Sequence, residues 1–223
     1  MFDWIKSAAA PERTYEGFER METSFADVNV GLATGTKVAT KMGWRPVETI
    51  AAGDMVLTFD GGMQPVVEVR RFTVWSTHHD KDPSRWPLNV PAGALGNQDR
   101  MTILPDQPVM IESDAAENIY GDAFALMAAS ALEGFRGIER IAPPCRTDVV
   151  CIYFSEDQIV FSNGGALFLC QAAVDILVGI DPQTNGYVAL SDAQADILVS
   201  LMELDETGFG VSSPKGDPGS CVS

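Results

Sequence analysis

Thiols are the first side chains in this 223-residue sequence that could attack a carbonyl or bind a metal. The four cysteines form no Cys-x-x-Cys pair and have no histidine nearby, which argues against a zinc site. Three of them lie in or beside apolar runs, where a free cysteine usually packs as a small hydrophobic residue. We expect free thiols in a reducing cytoplasm, with a disulfide as the alternative if the protein is exported. The cysteines are Cys145, Cys151, Cys170 and Cys221.

Imidazole is the usual group for proton transfer near neutral pH, and the sequence has only two, His78 and His79. They lie in a polar stretch that is typical of a loop. Asp80 and Asp82 stand beside them, so a weak metal site is one alternative. Solvated loop residues are the simpler interpretation, and we predict no metal and no cofactor.

Charge narrows the classes of partner. The sequence has 15 Lys and Arg against 31 Asp and Glu, a net charge of −16, whereas nucleic-acid binding needs clustered basic residues. Residues 147–223 carry one basic residue, Lys215, and 11 acidic ones. Such a surface either keeps a protein in solution or docks a basic partner. We expect no nucleic-acid partner and, if a protein binds, a basic one at the acidic C-terminal region.

Targeting and membrane signals are missing from the sequence pattern. Residues 1–6 do not combine a basic region with an apolar stretch, so no signal peptide is predicted. The longest apolar runs fall far short of the roughly 20 residues that cross a bilayer. We expect no membrane partner, and a location in the cytoplasm or within a larger particle.

Short strands separated by turns predict the scaffold that must position any site. Runs rich in β-branched and aromatic residues end every 8–12 residues, which favours a compact, mainly β fold with a small helical C-terminal appendage. Two hairpins are predicted, one joining 55–59 to 65–72 around Asp60-Gly61-Gly62, the other joining 149–154 to 158–162. Residues 120–132 fit a helix or two short elements around Ala128. Further strands are predicted at 37–40, 86–91, 101–104 and 108–112.

The C-terminal third changes in character. Helical apolar spacing predicts a helix over 166–178, and Ser191-x-x-Gln194 fits a capping box that opens a second helix over 192–203. The apolar stripe of that second helix is predicted to be Ile197, Leu198, Leu201 and Met202. The predicted organisation is an N-terminal arm (1–27), a β domain (28–170) and an acidic helical extension with a loose tail (171–223).

One motif is more specific than composition. Gly35-Thr36 precedes a strand, then Val47-Glu48-x-Ile50 and Gly53-Asp54-x-Val56 follow, with Glu48 at a corner, Gly53 at a turn and Asp54 able to cap it. This segment resembles the opening of the Hint domain, the module shared by inteins, Hedgehog autoprocessing domains and many bacterial proteins. Segments 91–96 and 159–164 also resemble a bacterial Hint subfamily, so the likeness spans roughly residues 28–170.

The resemblance implies a domain that attacks its own backbone. A Cys or Ser at its first position converts the preceding peptide bond into a thioester or ester, and a Thr-x-x-His block protonates that bond. Here the first position is Gly31, the hydroxyl position is Leu104 and the histidine position is Gln107. A late strand that often opens with His begins with Gln158. Losing the proton-transfer group alone should slow the reaction by about 10²–10⁴.

Substitute nucleophiles are poorly placed in the sequence. Ser24, Thr34 and Thr36 lie near the expected junction, yet none follows a matching bond. The sequence therefore predicts a Hint-type protein that has lost self-cleavage and acts as a binding or assembly component. Two alternatives stay open: residual processing near Val30-Gly31, and a structural part of a phage-like or secreted assembly.

Overall fold

The computed structural model describes residues 30–74, 82–143, 147–173 and 187–206. Fourteen strands and two α-helices occur in these ranges, joined by single-turn 3₁₀ helices. The strands are β1 (Leu32–Ala33), β2 (Lys37–Thr40), β3 (Gly43–Pro46), β4 (Met55–Thr58), β5 (Gly62–Pro65), β6 (Glu68–Val74), β7 (Leu88–Val90), β8 (Met101–Ile103), β9 (Pro108–Glu112), β10 (Phe124–Ala128), β11 (Glu139–Arg140), β12 (Thr147–Tyr153), β13 (Gln158–Ser162) and β14 (Ala166–Cys170). The helices are α1 (Asp114–Tyr120) and α2 (Asp192–Glu206).

The strands form two antiparallel sheets, as the mainly β prediction required. The first has the order β11-β7-β8-β1-β12-β6, and the second has the order β10-β9-β14-β13-β2-β4-β5 with β3 paired to β2. Their facing side chains form one large core that includes Val38, Leu88 and Phe168. Neither helix in the described ranges has the length and apolar composition needed to cross a bilayer.

Both predicted hairpins are wrong in their pairing, although the strands exist. The strand that returns beside β4 is the short β5, and β6 crosses to the first sheet to pair with β12 along its whole length. Likewise β12 and β13 belong to different sheets, because β13 pairs with β14, β2 and β4. Local turn signals predict where strands end, whereas the choice of partner depends on which apolar face each strand must bury.

The helix predicted over 166–178 is also wrong where the structure describes it. Residues 166–170 form β14, with Ala166, Phe168 and Cys170 buried on alternate positions. The run is apolar enough to satisfy a helical period by chance, and position in the sheet decides its conformation. Residues 120–132 take the second predicted form, a strand followed by a 3₁₀ helix at Ala129–Leu132.

The helix predicted over 192–203 is confirmed as α2, which runs to Glu206. The Gln194 side chain accepts hydrogen bonds from the Ser191 backbone N–H (3.0 Å) and hydroxyl (2.8 Å), as in a capping box. The predicted apolar stripe is partly wrong, because Ile197 is 57% exposed. The buried residues have spacings of three, four and seven, and they join the main core: Ala195, Leu198, Val199 and Met202.

Candidate functional site

The Val30–Gly31 peptide enters the first sheet at its centre. Gly31 immediately precedes β1, whose Leu32 pairs with Val150 of β12 on one side and Ile103 of β8 on the other. This pairing places the peptide beside Cys151. Pairing of β1 with β12 therefore joins residues 114 positions apart, such as Thr34, whose hydroxyl donates to the Asp148 carbonyl at 2.8 Å.

Gln107 fixes this peptide from the connection between β8 and β9. Its side chain is buried, and its Oε1 accepts a hydrogen bond from the Gly31 N–H at 2.9 Å. Its Nε2 donates to the carbonyls of Leu169 at 2.9 Å and Pro108 at 3.2 Å. The two carbonyl acceptors fix the orientation of the amide, because the flipped side chain would set oxygen against oxygen and nitrogen against N–H. Gln107 thus presents an acceptor, not a proton, to the nitrogen of the Val30–Gly31 bond.

Gly31 occupies a space in which no side chain fits. Its φ of +132° is a conformation that residues with a Cβ rarely adopt. A Cβ built on Gly31 would lie 2.5 Å from Val149 Cγ1 and 2.8 Å from Cys151 Sγ. The site is therefore shaped around a glycine, both by its backbone and by its neighbours.

Cys151 brings a thiol to the same peptide. Its Sγ–H donates to the Val30 carbonyl oxygen at 3.5 Å. Burial raises the pKa of this thiol above its ordinary value, and this effect outweighs the hydrogen bond from Tyr153 and the charge of Arg70, which both lower it. Burial raises the pKa of Cys170 more strongly, since that side chain lies in the main core. Both thiols are consequently poor sources of thiolate at neutral pH.

An open cavity of about 350 Å³ lies over this peptide. Polar groups at its walls include Asp106, Gln107 and Gln171, while Val150, Ile152 and Leu169 supply apolar surface. Arg70 stacks on the Tyr153 ring at 4.9 Å and pairs with Glu68 at 2.7 Å, so its charge is already balanced. That pair lowers the pKa of the Glu68 carboxyl. The cavity walls hold Gly31 and Gln107, but neither Leu104 nor Gln158.

Leu104 and Gln158 lie elsewhere in the fold. Leu104 is fully buried with Ala33 and Val149, so an apolar side chain fills the place where the resemblance implied a hydroxyl. Gln158 is buried on β13 opposite Cys170. The remaining candidates lie outside the described residues: Ser24, His78, His79, Asp80, Cys145 and Cys221.

The motif around residues 35–54 forms the corner that follows β1. The Gly35 N–H donates to Glu48 Oε2 at 3.1 Å, and the Thr36 carbonyl accepts from the Val47 N–H at 2.8 Å. Asp54 Oδ2 accepts from the Ala51 N–H at 2.9 Å.

Two arginines add contacts to this corner, and Arg71 Nη2 donates to the Ile50 carbonyl at 2.8 Å. Arg45 Nη1 lies 3.1 Å from Asp54 Oδ2. The Asp54 N–H closes the turn by donating to the Ala51 carbonyl at 3.1 Å, and Gly53, with a φ of +90°, donates its N–H to the Val66 carbonyl at 2.8 Å. These contacts hold the corner, and none of them reaches the Val30–Gly31 peptide.

Metal ligands are not gathered anywhere in the described part of the chain. No group of three or more His, Cys, Asp and Glu side chains there has the arrangement of a metal site. Asp82, one of the two acids named beside the histidines, accepts from the Ser84 N–H at 3.0 Å and caps a 3₁₀ helix instead.

Sequence reasoning missed the placement of Cys151. It treated this thiol as a buried apolar residue, which burial supports, but not as a neighbour of the Val30 carbonyl. The signal that could have found it is the pairing of β1 with β12, which no local pattern in either segment specifies.

Comparison with known proteins finds one matching family model and several similar solved structures. A family model described as the Hint domain matches residues 30–167. A bacterial intein-like domain from Clostridium thermocellum is 14% identical over 62% of this chain and 96% of that one, with a TM-score of 0.45. The gp41-1 intein is 15% identical over 63% and 97%, with a TM-score of 0.40. The MchDnaB-1 intein is 14% identical over 61% and 98%, with a TM-score of 0.37. No curated protein sequence matches the chain.

Proposed function

Because this chain belongs to the Hint domain family, we propose that it is a Hint domain that has lost self-cleavage and acts as a binding or assembly component. The observation that carries the proposal is the Gly31 N–H held by the Gln107 side-chain oxygen at 2.9 Å. The peptide bond at the position that the family cuts is present. A glycine stands in place of the nucleophile, and a glutamine stands in place of the histidine. The role is proposed for the cytoplasm or for a larger particle.

Residue 31 supports the proposal through its missing side chain. An acyl shift at this bond starts with a thiol or hydroxyl on the residue that contributes the nitrogen. Gly31 has neither, and a Cβ there would meet Val149 at 2.5 Å. Replacing the glycine alone would therefore not restore the first step, because the new side chain has no room.

Gln107 supports the proposal because its side-chain oxygen accepts a hydrogen bond from the Gly31 N–H. Breaking the bond requires a proton on the leaving Gly31 nitrogen, which a histidine supplies by alternating between two protonation states. Gln107 has no titratable proton, and it accepts the N–H instead of donating to that nitrogen. This hydrogen bond stabilises the intact amide and offers nothing to the leaving amine.

The experiment is the intact mass of the purified full chain, followed during incubation at neutral pH with and without hydroxylamine, which cleaves thioesters. We expect a single species at 24.0 kDa throughout. A G31C/Q107H variant is the matched companion, and it too should stay whole because Val149 and Cys151 fill the space. Fragments that split at Val30–Gly31 in the unaltered chain would refute the proposal.

Processing near Val30–Gly31 is a second candidate, favoured by the 3.5 Å contact between Cys151 Sγ and the Val30 carbonyl oxygen. In this reaction the sulfur would bond to the Val30 carbonyl carbon and the carbon–nitrogen bond would break. The thiol proton would pass to the Gly31 nitrogen, leaving a thioester and a free α-amino group. Water would then release residues 1–30 and restore the thiol.

The raised pKa of Cys151 opposes this route, because little thiolate is present near pH 7. The mass experiment separates the candidates with two variants. Cleavage that is lost in C151A and kept in C170A would establish Cys151 as the nucleophile. No cleavage in any of the three proteins would leave the binding role.

A further inference from the structure

Strand β6 forms one edge of the first sheet, because β12 is its only neighbour in the strand order. All seven residues of β6 pair with β12 in one unbroken register, from Glu68 opposite Tyr153 to Val74 opposite Thr147. In the described part of the chain, no other backbone group hydrogen-bonds to residues 68–74. Alternate residues of a strand direct their N–H and C=O groups to opposite sides, so the side of β6 away from β12 carries a row of unpaired donors and acceptors.

The other sheet edges among the described residues are short, end in proline or are already paired. Strands β3 and β5 have four residues each and end at Pro46 and Pro65, and β11 has two residues. The free side of β10 is met by the Leu190 N–H, which donates to the Leu126 carbonyl at 2.7 Å. Shortness, proline and a covering segment are devices that keep an edge from accepting a further strand. Strand β6 has none of the three.

The charged side chains of β6 do not close its edge either. Arg70 Nε donates to Glu68 Oε1 at 2.7 Å, so these two charges offset each other within the strand. Arg71 turns toward the corner described above, where its Nη2 donates to the Ile50 carbonyl at 2.8 Å and the Glu48 carbonyl at 3.3 Å. Among the described residues, the ion pairs involve other arginines and a lysine, so the charge of Arg71 is available to a carboxylate from outside.

We propose that the free edge of β6 takes an extended segment of a partner protein as a seventh strand of the first sheet. An extended backbone presents donors and acceptors at the spacing of those on β6. The matching segment has an acidic residue opposite Arg71, because opposite charges that face each other across two strands attract. The inference rests on the binding role proposed above and names its surface and the chemistry of its partner.

A second copy of this chain is a poorer occupant of the edge. Two β6 strands that pair along their whole length about a two-fold axis would place Arg71 opposite the same residue of the copy. Like charges directly opposite each other are destabilising. Any other register leaves residues at the ends of β6 unpaired, so the partner is a different protein.

Hydrogen–deuterium exchange of the full chain tests the edge itself. We expect about half of the amides of residues 68–74 to exchange quickly and the others, which bond to β12, to exchange slowly. Slow exchange of all these amides in the free protein would overturn the inference, because the edge would then be covered already.

The probe for binding is the blocked peptide Lys-Thr-Thr-Val-Glu-Val-Thr-Thr-Lys, which extends one residue beyond β6 at each end. Threonine and valine favour strands, and the symmetric sequence places the glutamate opposite Arg71 in either strand direction. The control peptide carries N-methyl groups on its three central residues, so it lacks their amide donors but keeps every side chain. Calorimetric titration measures the dissociation constant of each peptide.

Binding at the edge has a local signature. With the peptide at about ten times its dissociation constant, the fast amides of β6 should exchange about tenfold more slowly. The amides of the other edge strands, β3 and β5, should be unchanged, and the N-methylated peptide should protect none of them. Absence of binding, equal binding of the two peptides, or protection that leaves out residues 68–74 would each refute the proposal.

Charge is tested with a third peptide, in which glutamine replaces the glutamate. The glutamate peptide should bind the unaltered chain about two- to fivefold more tightly than the glutamine peptide. R71Q should lose this preference, because its amide can donate to the Ile50 carbonyl but carries no charge. R100Q is the matched control, since it removes an exposed arginine from the β7–β8 connection, and it should keep the preference.

Two measurements accompany the variants. Circular dichroism checks that R71Q and R100Q are folded, and a preference that survives in folded R71Q would show that the peptide does not lie on β6 as proposed. Sedimentation of the free chain tests the second copy. A dimer that protects the fast amides of residues 68–74 as protein concentration rises would contradict the inference, since the copy would then occupy the edge.

The outcome is distinguishable from a failure of the proposed function. Self-cleavage at Val30–Gly31 would appear as a change of mass, while residues 31–223 would keep β6 and β12. Peptide binding can therefore be measured on whole or cleaved protein, and each result stands without the other.

Discussion

Replacing Gly31 by alanine tests whether the site is built around a glycine. The new Cβ would lie 2.5 Å from Val149 Cγ1 and 2.8 Å from Cys151 Sγ, at a φ of +132°. Holding a side chain in such a backbone conformation costs about 1–3 kcal/mol. Forcing a methyl group into filled space costs about 1–3 kcal/mol more. We expect G31A to lose about 2–6 kcal/mol of its free energy of unfolding.

The assay is guanidinium unfolding followed by tryptophan fluorescence, with G53A as the matched control. Gly53 also has a positive φ, of +90°, but nothing lies within 4 Å of a Cβ built there. Both variants therefore carry a backbone penalty and the same gain from a stiffer unfolded chain. The difference between them isolates the clash, and we expect G31A to be less stable than G53A by at least about 1 kcal/mol.

A second variant checks the named contact. V149A removes the nearer of the two contacting groups, so G31A/V149A should be less destabilised than the two single changes added together. The reasoning is refuted if G31A is as stable as G53A, or if the two changes at residues 31 and 149 simply add. Either result would mean that a nucleophile at residue 31 has room after all.

Three further outcomes follow from other parts of the fold. L198A should lower the free energy of unfolding by about 2–5 kcal/mol in one cooperative transition, because Leu198 belongs to the main core; a separate early transition of the helix would contradict this. D54A should cost about 0.5–1.5 kcal/mol by removing the acceptor of the Ala51 N–H and the ion pair with Arg45, which keeps its hydrogen bond to the Thr49 carbonyl, and D54N should cost less by the same measurement. Burial raises the pKa of Cys170 in the folded state, so the stability this thiol contributes is full below about pH 8.5 and is lost as pH rises above it. C170A should show a shallower fall in urea midpoint between pH 7 and pH 10, and an equal fall would contradict the prediction.

Several parts of this fold are predictable from the sequence because their causes are local. The corner of residues 35–54 follows from glycine and aspartate at fixed offsets, which close turns through nearby backbone groups. The α2 helix follows from a capping pair and an apolar period, both within 15 residues. The absence of a side chain at Gly31 and of a titratable group at Gln107 is visible in the sequence as soon as the motif is aligned.

Only the tertiary structure decided which strands pair and which groups meet. Residues 149–154 and 158–162 look like a hairpin, but burial in two different sheets separates β12 from β13. The 166–178 segment has helical spacing, yet its described part lies between β13 and β9 as a strand. Which distant strands pair depends on how much apolar surface each arrangement buries in the whole fold, and no local pattern encodes that quantity.

The site itself divides in the same way. The sequence determined that residue 31 has no nucleophile and that residue 107 has no titratable group. The structure decided that Gln107 accepts the Gly31 N–H and that Cys151 fills the space beside it. Residue identity fixes which chemistry is absent, whereas contacts across 76 or more residues exist only once both sheets have packed against each other.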